Sequence, residues 1–306
     1  MSVRLSSALL TSSLLALPAL AAAQQPLTFE RTLPVGAAAT LDVSTGSGDI
    51  TVRAGGSAAI VVKGTVKVNT GWSVPGNAAE LARQLVSAPP IVHDGNTVKV
   101  GRIVDEAMRK AVSVSYEITV PSATAVAANS GSGSVAVSGV GQAVKANTGS
   151  GNIVVASIDG DVDVRTGSGD VQIKDVRRAA ALSTGSGSTD ATLTGKGDVR
   201  ASTGSGDIRL GGVVGLVTAS TGSGDVTVNG RPTGEWKLSA ASGNVVVTVP
   251  SSHGFTLDAR TSSGSVNVDA PLTAQGRLDR RRVQGTIRGG GPALVLSTAS
   301  GSIEVR

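Results

Sequence analysis

"TGSGDVQIKDVRRAAALSTGSG" runs from Thr166 to Gly187. It opens and closes on one glycine-rich phrase, and the two copies bracket a unit of about 18 residues. Inside the unit the apolar residues are Val171, Ile173, Val176, Ala180 and Leu182. One unit earlier they are Ile153, Val155, Ile158, Val162 and Val164, and before that Val135, Val137, Val140, Val144 and Ala146. Steps of two within each outer pair are the signature of short strands with one side facing inward, and the lone middle residue closes a third, shorter side.

The second glycine of the phrase recurs at Gly48, Gly133, Gly151, Gly169, Gly187, Gly206, Gly224, Gly243, Gly264 and Gly301. From Gly133 to Gly264 the intervals stay between 18 and 21 residues, whereas the last, to Gly301, is 37 and reads as two periods with one marker lost. A fixed period of this length marks a solenoid, in which each coil buries its face only by stacking on its neighbours. The expectation is an all-β, single-chain β-solenoid of about ten coils, a right-handed β-helix by the crossover rule. At ~4.8 Å per coil its rod would be roughly 45–50 Å long.

Copies within the chain show what the phrase demands. Its second glycine never changes, while the first becomes Ala241, Ser262 and Ala299. That contrast predicts a positive φ at the second glycine and only a small residue at the first. The next residue is Asp, Asn or Ser, all of which hydrogen-bond nearby backbone in turns. The phrase therefore reads as a structural corner. A calcium β-roll shares the period, but six of the ten copies carry no carboxylate there, too few for a cation needing six to eight oxygens. A phosphate cradle would open a helix, and these phrases open strands. No metal and no cofactor is expected.

Bulk composition agrees with this reading. Glycine makes up 41 of 306 residues, aromatics only 2%, and cysteine is absent, which excludes disulfides and thiolate metal sites. Residues 1–23 read as a signal peptide, with Arg4, an apolar stretch from Leu5 to Leu20 and a small-residue end at Ala21–Ala23. Without it the net charge falls from +5 to +4, too mild and too evenly spread for a nucleic-acid partner. No later stretch has the length of a membrane helix. The domain plan is thus a leader (1–23) and a solenoid (24–306), irregular over 44–128 and regular over 129–306. No barrel-forming domain or cell-wall sorting motif is visible after "SGSIEVR".

The irregular part predicts one short capping helix near 77–87, with Asn77 as N-cap and Glu80 three residues on. "VDEAMRK" reads as a solvated loop. Two units bend the pattern, one with Thr189 at an inward site and one with Trp236 beside an insertion, and both read as bulges. His93 and His253 fall in turns, and Trp72, Trp236 and Tyr116 are too scattered to suggest a sugar-stacking groove. No catalytic residue is assigned. One charge cluster stands out in "GRLDRRRVQGTIRGGG": Arg277, Arg280, Arg281, Arg282 and Arg288. As a functional feature it would contact an anionic partner; as a structural one it would discourage edge pairing.

"LDVSTGSGDITV", the repeated "TGSGDV", "YEITVP" and "GTIRGGGPALVLSTASGSIEV" together resemble the bacterial DUF4097 β-strand-repeat proteins, often labelled adhesins by inference. The resemblance spans nearly all of the chain after the leader. It implies a β-helix of exported or envelope-associated proteins and supplies no catalytic residues. The expected role is a non-enzymatic envelope or secreted solenoid that acts in adhesion or as a scaffold, in the periplasm or at the cell surface. Its partner would be an unspecified envelope or surface component. The alternatives are a periplasmic sensor-type module for an anionic envelope component and a polysaccharide-active β-helix enzyme. A flat wall covered with serine and threonine favours adhesion, and a pocket of clustered carboxylates favours the enzyme.

Overall fold

The structure is a computed structural model that describes residues 27–101, 103, 105–274 and 279–306. The proposed leader and Arg277 lie outside the described residues.

Each coil supplies one strand that ends on the glycine phrase and a second that starts just after it. First strands stack in parallel and in register: Thr40–Thr45, Ala125–Ser130, Val144–Ser150, Val162–Ser168, Ala180–Ser186 and Val199–Ser205. The second strands do the same: Ile50–Gly55, Val135–Ser138, Ile153–Ile158, Val171–Val176 and Thr189–Leu193. Farther along, the walls merge, and the long strands Ile208–Ser223 and Val226–Ser242 each run through more than one of them. The chain is an all-β solenoid with two short helices.

Like residues stack on like. Val144, Val162, Ala180 and Val199 are successive register partners, as are Ile153 and Val171. These inward side chains form one continuous column that is essentially closed to solvent. Small branched residues suit it because each layer leaves only the width between facing strands. Trp236, the largest fully buried side chain, lies between Val217 and Leu294, and its indole N–H donates to Gly215 O at 2.9 Å. The register shifts by two residues just before Trp236, and the strand that holds Thr189 pairs with a shift opposite Lys174–Val176, so irregular steps do accompany both bent units. Thr189 is fully buried, and its hydroxyl has no partner among the described residues.

At both ends the order of the layers departs from the order of the chain. The final coil, Ala293–Ser300 with Ile303–Val305, inserts between two earlier ones. On one side it pairs with Trp236–Ser242 and Val245–Val247, on the other with Thr256–Ser263 and Val266–Val268. The 37-residue interval is therefore not a coil with a lost marker. Its residues form the strands Leu272–Ala274 and Arg282–Ile287, which pair antiparallel with each other; the second also closes the outer edge of Phe255–Ser263. The N-terminal end repeats the device. The 40–55 coil lies between Ala125–Ser138 on one side and Thr97–Val100 with Val112–Pro121 on the other. Antiparallel strands Ala59–Val68 and Leu27–Pro34 then close that edge.

Helix α1 (Ala78–Ser87) covers this end, packing Ala78, Ala82 and Leu85 against the closing strands. Its start differs from the expected capping box. The Asn77 side chain makes no cap bond, and Glu80 pairs instead with Arg83 at 2.9 Å. "VDEAMRK" is not a loop. It holds helix α2 (Glu106–Ala111), whose N-cap Asp105 accepts the Met108 N–H at 2.7 Å. In this outermost layer α2 takes the place that the glycine phrase occupies elsewhere.

Candidate functional site

The phrase pairs the backbone polar groups of its second glycine and of the residue after it, as the copy around Gly169 shows. Gly169 N–H donates to Ser186 O of the next layer. Gly169 O accepts from the Thr184 hydroxyl at 2.9 Å. Asp170 N–H donates to the Asn152 side chain of the layer before, at 2.9 Å, and Asp170 O accepts from Ile153 N–H. The Asp170 carboxylate in turn accepts the Ser188 N–H at 2.8 Å. Threonine thus supplies the hydroxyl and the Asp/Asn residue the acceptor for backbone groups that the turn removes from the ladder.

The threonine ladder repeats at Thr148, Thr166, Thr203, Thr221, Thr298 and Thr261. It breaks at Ala240, where no hydroxyl meets Gly224 O. The acceptor ladder passes through Asp49, Asp207, Asp225 and Asn244 at 2.7–2.9 Å, while the shorter Ser188 reaches Asp207 N–H only at 3.3 Å. The bond from Asp225 N–H, aided by Arg209, holds the Asp207 carboxyl below the usual carboxylate range.

Close approach explains the second glycine. At Gly187 φ is +140°, and a Cβ would lie 2.1 Å from Gly169 O. The same collision recurs with the layer below throughout the stack, and Gly301 falls over Gly243 with Gly264 over Gly301, following the inserted order. Seven of the ten positions, Gly169 through Gly301, have φ between +139° and +152°. At Gly48, Gly133 and Gly151 the collision operates without a positive φ.

Threonine faces inward, so the outer wall is a serine surface. Ser150, Ser168, Ser186, Ser205, Ser223, Ser242, Ser300 and Ser263 are consecutive register partners, and all are exposed. Beside them runs a second column, Ser183, Ser202, Ser220, Ser239 and Ser297. Depressions among the described residues are open. One of about 670 Å³ is lined by Asp159, Asp161, Arg177, Arg178, Lys196 and Asp198. Arg177 pairs with Asp159 at 3.1 Å, and Asp161 and Asp198 each accept a backbone N–H, so these acids act as corner residues again. His93 bonds Gly95 O, His253 bonds Ser252, and among the described residues neither meets a carboxylate.

The structure divides the arginine cluster. Arg280, Arg281 and Arg282 lie together at the turn into the closing strand, where the first two offer their carbonyls to Val266 and Thr261. Arg288 stands at the opposite end of that strand, with φ +52°, and its guanidinium holds Pro250 O and His253 O, each at 3.2 Å. A residue absent from the sequence reading joins the first group. Arg260 is the register partner of Arg282, and both are exposed, with no carboxylate pairing either one among the described residues. Sequence distance hid Arg260; only the antiparallel closure places it there.

Stacked parallel coils, corner ladders and closed ends define an all-β solenoid whose distinctive outer features are walls and edges. The chain belongs to the Toastrack DUF4097 family, whose profile matches residues 41–306. A solved structure described as a "putative cell adhesion protein", from Clostridium sporogenes ATCC 15579, is 10% identical; the alignment covers 92% of this chain and 99% of that one, with a TM-score of 0.25. Another, a "putative adhesin" from Bacteroides fragilis NCTC 9343, is 14% identical over 91% and 97% of the two chains, with a TM-score of 0.40. No curated protein matches the sequence. No helix among the described residues is long and apolar enough to cross a membrane.

Proposed function

We propose that this protein is a non-enzymatic adhesion or scaffold module of the exported cell envelope, binding through its serine wall and the arginine-rich end that adjoins it. The single observation that carries this reading is the wall itself. One exposed serine column passes unbroken through eight register-matched layers from Ser150 to Ser263. Such a surface offers repeated hydroxyl donors and acceptors to a large partner, with no enclosed space for a small substrate. Arg260, Arg280, Arg281 and Arg282 add exposed cations where the wall ends, none of them paired with a carboxylate among the described residues. Like charges opposed across a ladder are unfavourable for the fold, so a phosphate- or carboxylate-bearing envelope component between them would relieve that repulsion.

The test is retention of the protein from Gln24 onward on isolated envelopes and on immobilised anionic envelope polymer, at rising salt. We expect binding that weakens with salt and falls at least tenfold when the four arginines become Gln. Binding that ignores the four substitutions contradicts the anionic contact. No retention on any envelope fraction contradicts the adhesion reading.

A further inference from the structure

Along the third edge of the stack the acceptor ladder skips a layer. Asp161 accepts the Ala179 N–H at 3.3 Å, and Asp198 accepts the Leu216 N–H at 3.0 Å, each reaching one layer onward. Between them stands Ala179, which has no acceptor to offer. Asp198 O accepts the Ala180 N–H at 3.0 Å, and in extended chain a residue's N–H points the same way as its C=O. The Asp198 N–H therefore faces the turn that carries Ala179, and it finds no acceptor there among the described residues. The turn is also wider than the one before it. Leu193 stacks on Val176 and Val199 on Ala180, so the five residues 194–198 cross where the three residues 177–179 do. Gly195 lies over Arg177 and Gly197 over Arg178, where a Cβ would meet backbone at 2.0 and 2.4 Å, and Lys196 stands out between them. The result is the depression of about 670 Å³. Arg177 is engaged by Asp159, but exposed Arg178 and Lys196 pair with no carboxylate among the described residues.

An unserved N–H and two unpartnered cations thus meet where the ladder lacks its acceptor. The group that completes the ladder is the one Asp161 and Asp198 supply on either side, a carboxylate. Successive carboxylates are compatible with the stack when each accepts a backbone N–H, as Asp207 and Asp225 do one layer apart. A doubly charged phosphate in the same place would meet stronger repulsion from Asp161 and Asp198. The planar guanidinium of Arg178 matches a carboxylate, and Lys196 adds a second positive charge. The depression is larger than one carboxylate, and apart from Ala179 its lining is charged side chains and glycine, so the body of the ligand is polar as well. We propose that this edge binds the carboxylate of an acidic sugar, which accepts the Asp198 N–H in the place of the absent Ala179 acceptor, with Arg178 and Lys196 beside it. The comparable gap over Ala143 is not such a site. The Asp161 N–H faces it, but the turn there supplies only Gly141 and Gln142, with no cation. The site uses no residue of the serine wall or of the arginine group and does not depend on the adhesion reading.

The test follows the Asp198 amide by NMR in the ¹⁵N-labelled protein from Gln24 onward, which contains every described strand, during titration with a galacturonic acid trisaccharide. We expect this resonance to move downfield and saturate. The neutral galactose trisaccharide and inorganic phosphate, titrated in parallel, should leave it in place. Ala179→Asp supplies the chain's own carboxylate, so its Asp198 amide should start downfield and no longer respond. R178Q/K196Q should weaken binding about tenfold. Both of its changes are on exposed side chains, so it keeps the test decisive should Ala179→Asp disturb the fold. No saturable shift at Asp198 overturns the proposal, as does an equal response to the neutral sugar or to phosphate. A response that persists in folded Ala179→Asp, or that R178Q/K196Q leaves at full strength, overturns it too.

Discussion

The regular array from Ala125 to Thr248 and the two ends of the stack use one phrase but close their polar groups differently. In the array, chain order and layer order agree, and threonine and Asp/Asn ladders satisfy most corners from the next layer, with a gap at Ala240. At the ends the outermost layer comes from inside the chain, 97–121 at one end and 255–268 at the other. The coils nearest the termini sit one layer deeper. An outer layer can then be closed by the strand that follows or precedes it in sequence, as Arg282–Ile287 closes Phe255–Ser263. Edge protection, which the middle never needs, decides the order of the layers.

The comparison breaks most sharply at the second glycine. Gly187→Ala adds a Cβ 2.1 Å from a carbonyl at a φ of +140°. A loss of about 3 kcal/mol or more is expected in urea denaturation. Gly185→Ala also brings a Cβ close to backbone, 2.5 Å from Gly167 O, but without a left-handed φ, and it should cost less, since Ala241, Ser262 and Ala299 already occupy that position elsewhere. Equal losses would show that both glycines serve the same purpose.

Next in size is the ladder itself. Thr166→Val keeps the shape but strands the Gly151 carbonyl, now bonded at 2.9 Å, and should cost about 1–3 kcal/mol. Two substitutions should act in the opposite direction. Ala240→Thr restores the missing hydroxyl over Gly224 O, and Thr189→Val replaces a fully buried, unpartnered hydroxyl with a methyl group. Each should raise stability by about 1 kcal/mol, read as a higher denaturation midpoint at constant slope.

The smallest effect is electrostatic. The Asp207 carboxyl titrates below its ordinary 3.8 because the folded state stabilises its charged form, first through Asp225 N–H and then through Arg209. Its contribution is therefore complete above that ordinary value and fades as pH falls through the folded one. The stability difference between the native protein and D207N should be flat from pH 7 to about 5 and shrink towards pH 3.

Much of this was legible in the residues. The 18-residue period, the inward set from Val135 to Leu182 and the invariant glycine point to stacked coils because the geometry writes itself into every copy. The layer order at the C-terminal end was not legible. "TSSGSV" and "TASGSI" carry the same phrase, so either order puts glycine over glycine, and only the antiparallel closure chooses between them. Helix α2 was hidden because six residues show too little periodicity, although Asp105 three residues before Met108 was an available N-cap signal. The Gly160–Asp161 and Gly197–Asp198 pairs, each followed by valine, carried the corner device to a third edge. Arg260 and Arg282 meet only through closure.

Cysteine cross-linking tests the layered order most directly, since the chain has no cysteine of its own. Ser242 and Ser263 each stack in register on Ser300, one layer on either side of it. Neighbouring strands about 4.8 Å apart lie within disulfide range, and strands two layers apart do not. Under mild oxidation S242C/S300C and S263C/S300C should each form a disulfide within one chain, and S242C/S263C should not. A disulfide in S242C/S263C with none in S242C/S300C would mean that the last coil caps the stack and is not clamped inside it.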